Sequence, residues 1–448
     1  MILSEIKGGL EMSAYRLFYK ENETVEFELP EGWDLLNYVN PEPMEITRSI
    51  DEMVSDALNT PVGIPPLENV LKPGHTVAIA IDDWTRPTPV REILPALLGR
   101  LEKIGIKRGD ITIIVALGSH VSMPEDALRE RLGPDIFGSY RVVQHDCWSE
   151  DLIHIGDLSS GGPVKINKIF HDADYRISIG SVIPHPMNGF GGGPKIVMPG
   201  LVSYETIREH HTVYTIQEGA YPGNTATNPF YKEVTRVAGL GDLNMIIGAL
   251  YTNQEKVFDV VAGHYYEAHQ EGIRRSLPNF RVRMDEMADV TLLSAYPYVE
   301  GPQLTKPVGP AAMCTRRGGA VILLATTRDP MPEPMLHAFD VVRDLGSEHP
   351  DRVLLDTFRK RSLVLNDAPI DFNMALFFAE VYKGRYDLTI VSRDVKREEA
   401  KRMGFAFAPS MEDAMAMVKE KFPRAKVNIF PIGGMVLPDM GKPPSLYD

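Results

Sequence analysis

Short apolar runs alternate with stretches of helical periodicity along most of this chain, the pattern of a parallel α/β architecture. Val77-Ala78-Ile79-Ala80-Ile81 is a continuous apolar run and reads as a buried strand. From Arg91 to Ile104, residues Ile93, Leu94, Leu97, Leu98, Leu101 and Ile104 share one face of a helix. Ile111 to Leu117 predicts the next strand, Pro124 to Leu132 the next helix, and Tyr175 to Ile183 a strand leading into a glycine-rich loop. Ser203 is placed to cap a helix running through Glu205, Ile207 and His211.

A second α/β unit begins near Met287. Strands are expected at Val290 to Ser294, Ala320 to Thr326, Leu388 to Ser392 and Lys426 to Phe430, with a helix from Ser410 to Lys421. Residues 253–287 are more polar and mostly helical in pattern, which puts the linker in that range. The expected organisation is an N-terminal α/β domain over 1–275 and a C-terminal α/β domain over 288–422. A tail over 423–448 follows, and Gly433-Gly434-Met435-Val436-Leu437-Pro438 suggests its return to the first domain. Both sheets should be parallel-rich, with the active site in the cleft between the domains.

Composition narrows the function classes. The length of 448 residues suits two or three domains, and 44% hydrophobic with 24% charged residues is ordinary for a soluble globular protein. A formal net charge of −14 speaks against nucleic acid as a partner. The two cysteines, Cys147 and Cys314, leave no disulfide framework and no cysteine-rich metal site, and they fit a reducing cytoplasm. Met1 to Tyr19 lacks the apolar block of a signal peptide, and Met12 is an alternative start. No apolar run approaches the ~20 residues of a membrane span, so a cytoplasmic setting without a membrane partner is expected.

Candidate chemistry collects where predicted strands end. Asp82-Asp83, Gly118-Ser119-His120 and His185 each follow a strand, the edge at which open α/β sheets bind ligands. A carboxylate in Asp82-Asp83-Trp84-Thr85-Arg86 suits a ribose hydroxyl and Arg86 suits a carboxylate, although a polar turn closed by prolines has the same composition. His120 suits a general base, or equally a helix cap. His185, between Pro184 and Pro186, sits on stiff backbone. Gly189, Gly191, Gly192 and Gly193 followed by Lys195 have the chemistry of a phosphate cradle, without Walker or G-x-G-x-x-G spacing. His210 and His211 are adjacent on a helix, about 100° apart, so one metal takes at most one of them, and a helix surface accounts for either. Gln303 and Lys306 follow the first strand of the second unit, where Lys306 suits an acidic substrate or plain solvation.

Together these motifs resemble the nickel-dependent lactate racemase family. The matching elements are Asp83-Trp84-Thr85-Arg86, Gly118-Ser119-His120, His185 to Lys195 with Met198-Pro199-Gly200, His211, Gln303 and Lys306. The resemblance implies a nickel pincer nucleotide, Ni-pyridinium-3,5-bisthiocarboxylic acid mononucleotide, supplied by cofactor-biosynthesis proteins. It implies that Lys195 joins or contacts this cofactor, with Asp83, Thr85, Gly191, Gly192 and Gly193 around it and His211 on the metal. His120 and His185 become the catalytic pair, and Arg86, Gln303 and Lys306 surround the substrate.

The implied activity is an isomerase, a racemase or epimerase inverting C2 of a small-molecule 2-hydroxy acid by proton-coupled hydride transfer. A C–H bond beside a carboxylate is a weak acid, and removing hydrogen as hydride avoids a dianion. Pro302 stands where lactate racemases carry an aromatic residue, and Ile370-Asp371-Phe372-Asn373-Met374 only loosely follows the family's tryptophan-containing stretch. Malate, a longer-chain acid or a sugar acid therefore fits as readily as lactate. Two other readings compete: a zinc-dependent hydrolase using the same histidines, and a non-catalytic nucleotide or phosphate binder built on the glycine loop.

Overall fold

The computed structural model describes residues 14–444, so the reading of Met12 as a start, and most of the stretch from Met1 to Tyr19, lie outside the described residues. Two six-stranded sheets dominate. In the first, the order across the sheet is Val257–Gly263, Met245–Tyr251, Tyr175–Val182, Val77–Ile81, Ile111–Val115, Arg141–Gln144. All neighbours are parallel except the edge strand Val257–Gly263, which runs antiparallel to Met245–Tyr251. Every residue of Val77–Ile81 is buried, as expected of a central parallel strand covered on both faces. The helix Val90–Ile104 buries Ile93, Leu94, Leu97, Leu98 and Leu101. It stops at Gly105, whose φ of 97° suits glycine and whose missing Cβ leaves room for the Pro73 ring.

The second sheet is wholly parallel, in the order Ala406–Ala408, Asp387–Val391, Thr315–Leu324, Ala288–Ser294, Ala425–Phe430, Trp33–Tyr38. The α/β class and the parallel-rich sheets expected from the sequence are present. The predicted strands and helices named above are found within a few residues of their expected limits. Ser203 caps its helix, Tyr204–Tyr214, with its hydroxyl accepting from the Thr206 amide.

Two features differ from the pattern. Trp33–Tyr38 lies at the edge of the second sheet, although it precedes every strand of the first. Of its residues only Trp33 is buried, so it carries no clear alternation; Trp33 Nε1 donates to the Phe422 carbonyl at 2.8 Å. Residues 253–287, read as mostly helical, contain the edge strand Val257–Gly263 before the helix Glu267–Phe280. At the end of the chain, Ala425–Phe430 takes its expected place in the second sheet, and Leu437–Asp439 then pairs with Arg281–Arg283. Among the described residues no helix is long and apolar enough to cross a membrane. Cys147 and Cys314 are both free and buried.

Candidate functional site

Tyr175–Val182, Val77–Ile81 and Ile111–Val115 are consecutive neighbours in the first sheet. Their C-terminal ends release the loops bearing His185, Asp83 and His120. The chain proceeds from Val77–Ile81 to one side and returns to the other, so the loops leave the sheet at its topological switch point. With strands ~4.8 Å apart, the two histidine loops flank the Asp83 loop on either side. A pocket opens there, lined by Asp83, Thr85, Arg86, His120, His185, Gly192, Lys195, His211, Gln303 and Lys306. Ten of the residues singled out from the sequence thus share one cavity. Gly191 and Gly193 do not line it.

Asp83 organises one wall. Its Oδ1 accepts from the Thr85 amide at 2.9 Å and the Thr85 hydroxyl at 2.5 Å, while Oδ2 lies 2.6 Å from His120 Nδ1. Burial alone would raise its carboxyl pKa, but His120, Arg86 and Thr85 outweigh that and hold it well below the usual carboxylate range. His120 therefore donates Nδ1–H to Asp83 and keeps the Nε2 lone pair free. Arg86 reaches the Thr85 hydroxyl at 2.9 Å and Gln303 Oε1 at 3.3 Å. Lys306 donates to the same Gln303 oxygen at 2.8 Å. A single amide thus spaces Arg86 and Lys306 beside the cavity, where burial, then the charges of Arg86 and Lys195, push the Lys306 amine well below its ordinary pKa.

Sequence reasoning missed the anchor beneath this wall. Asp82 is ion-paired with Arg131 and accepts from the Thr88 hydroxyl at 2.6 Å, and Arg131 Nε also donates to the Asp82 carbonyl at 2.9 Å. Arg131 sits in the last turn of a polar helix, Glu125–Leu132, and nothing in its local pattern distinguishes it from a solvated arginine.

His185 is held in the opposite sense to His120. Its Nδ1 accepts from the Asn188 amide at 3.2 Å and, more weakly, from the Met187 amide at 3.4 Å. The ring proton therefore resides on Nε2. Burial, reinforced by Lys195, Lys306 and Arg86, lowers its pKa well below the ordinary value, so the ring is neutral.

The glycine loop is shaped mainly by packing. A Cβ on Gly192, at φ 72°, would lie 2.6 Å from the Ser181 carbonyl oxygen, and one on Gly193 would strike the His269 ring. The Gly191 amide donates to the Ile183 carbonyl at 2.8 Å. His269, assigned no role from sequence, braces the loop: Nε2 donates to the Gly191 carbonyl at 2.9 Å, and Nδ1 accepts from the Tyr231 hydroxyl at 2.8 Å. The loop delivers Lys195 to the cavity. Burial, then the charge of Arg86, lowers the Lys195 pKa to about 7.

His210 and His211 are not on a helix surface. They are 0% and 3% exposed, because both fall on the buried side of Tyr204–Tyr214, whose outer side carries Glu205, Arg208 and Glu209. His211 Nδ1 donates to the Ile207 carbonyl at 3.0 Å, leaving Nε2 on the pocket side with its lone pair. Burial, and next to it the neighbouring His210, keeps the ring neutral. His210 packs on Phe230, with ring centroids 4.3 Å apart, and is absent from the pocket lining.

The remaining wall comes from Pro302 and Thr305 and from one face of the helix Ile370–Lys383. The Ile370 amide donates to the Ser119 hydroxyl at 2.9 Å, which ties the start of that helix to the residue beside His120. Asp371 enters the pocket there, where the sequence carried no assignment.

Residues 19–223 match the lactate racemase N-terminal domain family. A lactate racemase from Lactiplantibacillus plantarum is 32% identical over 286 residues, covering 63% of this chain and 67% of that protein. The chain belongs to the lactate racemase family. It is thereby an enzyme of the isomerase class. A second lactate racemase, from Thermoanaerobacterium thermosaccharolyticum, is 28% identical over 64% of this chain and 68% of its own length. The lactate racemase fold extends beyond that segment, over 95% of the chain. The structure of the lactate racemase apoprotein from T. thermosaccharolyticum superposes with a TM-score of 0.83 at 24% identity, covering 95% of this chain and 100% of that one. A Thermotoga maritima protein shares the fold more distantly, with a TM-score of 0.64 at 18% identity over 87% of this chain and 98% of its own. Asp83 to His211 fall inside the matched lactate racemase segment, whereas Gln303, Lys306 and Asp371 lie beyond it.

Proposed function

We propose that this protein racemises or epimerises C2 of a 2-hydroxy acid with the help of a nickel pincer nucleotide, in the cleft between its two α/β halves. The residues present suit that cofactor. His211 offers one neutral imidazole nitrogen, its orientation fixed by the Ile207 carbonyl. Among the described residues no group of three or more His, Cys, Asp or Glu side chains is placed to hold a metal. A metal here would take most of its donors from the cofactor, which suits a soft, sulfur-rich ligand completed by a single histidine. The same fact weighs against a zinc hydrolase, which uses about three converging protein ligands. Lys195, with a pKa near 7, presents a partly neutral amine that suits contact or covalent attachment to a thiocarboxylate.

When bound, such a cofactor supplies reversible acceptance of a hydride. The protein does the rest. Arg86 holds the substrate carboxylate by charge-assisted bonds, and Lys306, across Gln303, donates to the same anion, whose charge offsets the burial that lowers its pKa. His120 Nε2 takes the hydroxyl proton, and Asp83 stabilises the imidazolium so formed. His185 steadies the oxygen through an Nε2–H hydrogen bond when it faces the other loop, and the proton held by His120 returns to that oxygen to restore the hydroxyl. Burial of His185 and Asp83 keeps water from competing with these contacts.

The observation that carries this reading is the opposed hydrogen bonding of two histidines flanking one pocket that also holds Arg86, Lys195 and Lys306. The test is to incubate cofactor-loaded protein with single enantiomers of a 2-hydroxy-acid panel in deuterated water. Inversion that leaves C2 unlabelled is expected. Deuterium at C2 during inversion, or no inversion of any member, overturns the proposal.

A further inference from the structure

Resting on that reading, we infer that the substrate carries a hydroxyl beyond C2, and that Asp371 is the residue that selects it. The pocket face of the helix Ile370–Lys383 presents Ile370, Asp371, Met374, Ala375 and Phe378. Four of these are apolar, and the carboxylate is the exception. Its Oδ1 is buried and has no hydrogen-bond partner. An acceptor left unpaired in such a place is destabilising unless a ligand supplies the missing donor.

The other acidic groups on the cavity are already committed. Asp83 holds Thr85 and His120, and Asp82 holds Arg131 and Thr88. Asp371 alone has an oxygen to spare. The Ser119 hydroxyl, one residue from His120, accepts from the Ile370 amide, so the start of this helix, and Asp371 with it, is tied to the His120 side of the cavity. Burial raises the Asp371 carboxyl pKa, with His120 and Lys306 opposing the shift. Ionised, it accepts from a hydroxyl; protonated, it both donates and accepts.

Three substrate types can be separated on this geometry. An acid with an alkyl side chain leaves Oδ1 unpaired. A dicarboxylate brings a second anion against Asp371, with Arg86 and Lys306 already engaged by the first. A polyhydroxy monocarboxylate satisfies both ends, its carboxylate on the cations and a distal hydroxyl on Asp371. A site built to hydrogen-bond a substrate hydroxyl rejects the analogue lacking it far more strongly than an apolar pocket discriminates by size.

Glycerate and lactate differ by one hydroxyl and make the direct probe, with malate as the dianion. Rates of C2 inversion are measured for cofactor-loaded wild type, Asp371→Asn and Asp371→Leu, and binding of the same acids is measured by calorimetry. Wild type is expected to favour glycerate over lactate by at least about tenfold in kcat/KM. Asp371→Leu should bring that ratio near one, and Asp371→Asn, which retains an acceptor, should preserve part of it. The inference is overturned if wild type uses lactate or malate as well as glycerate, or if the ratio survives in Asp371→Leu. It is also overturned if the substitutions change only cofactor retention, the result expected if the donor were the ribose of the nucleotide. Asp371-dependent binding of glycerate without turnover of any acid would sink the epimerase reading and leave this inference standing.

Discussion

His120 Nδ1 and Asp83 Oδ2 lie 2.6 Å apart, with Asp83 only 3% exposed. The resemblance to lactate racemases put Asp83 beside the cofactor. The geometry gives it a second task, fixing the tautomer of His120 and stabilising its protonated form. In Asp83→Asn the amide can present its NH2 to the ring, which favours the tautomer with the lone pair on Nδ1. Turnover should fall by roughly 10³-fold or more. Nickel content and substrate KM should change much less. Equal loss of nickel and of activity would return Asp83 to a cofactor-holding role.

His185 supplies the complementary prediction. Two backbone amides point at its Nδ1, so protonating that nitrogen would set like dipoles against each other. The ring should remain neutral with the proton on Nε2 throughout pH 6–9, and ¹⁵N chemical shifts of labelled protein would report this directly. An imidazolium signal from His185 at pH 6 would contradict the arrangement.

These two residues show what was legible before the structure. A histidine just beyond a strand is recognisable from the apolar run that precedes it, and the sheet-edge rule then brings His120, Asp83 and His185 together. Their tautomers were invisible, because they depend on an amide three residues away in one case and on another loop in the other. The glycine loop was read as a cradle because glycine permits close approach by any neighbour. Here the neighbours are the Ser181 carbonyl and the His269 ring, and Gly191 and Gly193 fall behind the wall. For His210 and His211 the residue pattern alone allows a helix surface, and only the resemblance puts His211 on a metal; periodicity cannot show that both rings fall on the buried side of Tyr204–Tyr214. Trp33–Tyr38 escaped notice for the converse reason, an edge strand with too few buried positions to alternate.

The histidine pair on the helix Tyr204–Tyr214 can be separated experimentally. His211 faces the pocket with a free Nε2, whereas both ring nitrogens of His210 are buried without a partner among Tyr214 and Phe230. His211→Ala should lose nickel on dialysis of loaded protein. His210→Phe removes two unsatisfied polar atoms and should retain nickel with unchanged or higher thermal stability. Loss of metal from the His210 variant alone would reverse the assignment.

Stability should also respond to pH through a contact between the two sheets. Glu255, in the turn between Met245–Tyr251 and Val257–Gly263, accepts from the Tyr296 hydroxyl at 2.6 Å, and Tyr296 follows the strand Ala288–Ser294 of the second sheet. Burial is the main cause of its raised pKa, which stands at about 7 against an ordinary carboxylate value. Between those two values the folded protein holds a proton that the unfolded chain releases. The resulting stabilisation is complete below the unfolded pKa and is lost as pH rises through the folded one. Glu255→Gln imitates the protonated form and keeps an acceptor for Tyr296. It should be nearly neutral at pH 5 and stabilise by roughly 2 kcal/mol at pH 8. Thermal or urea unfolding of both proteins at the two pH values would measure the difference. An equal effect at both would show that this carboxyl does not carry the pH dependence.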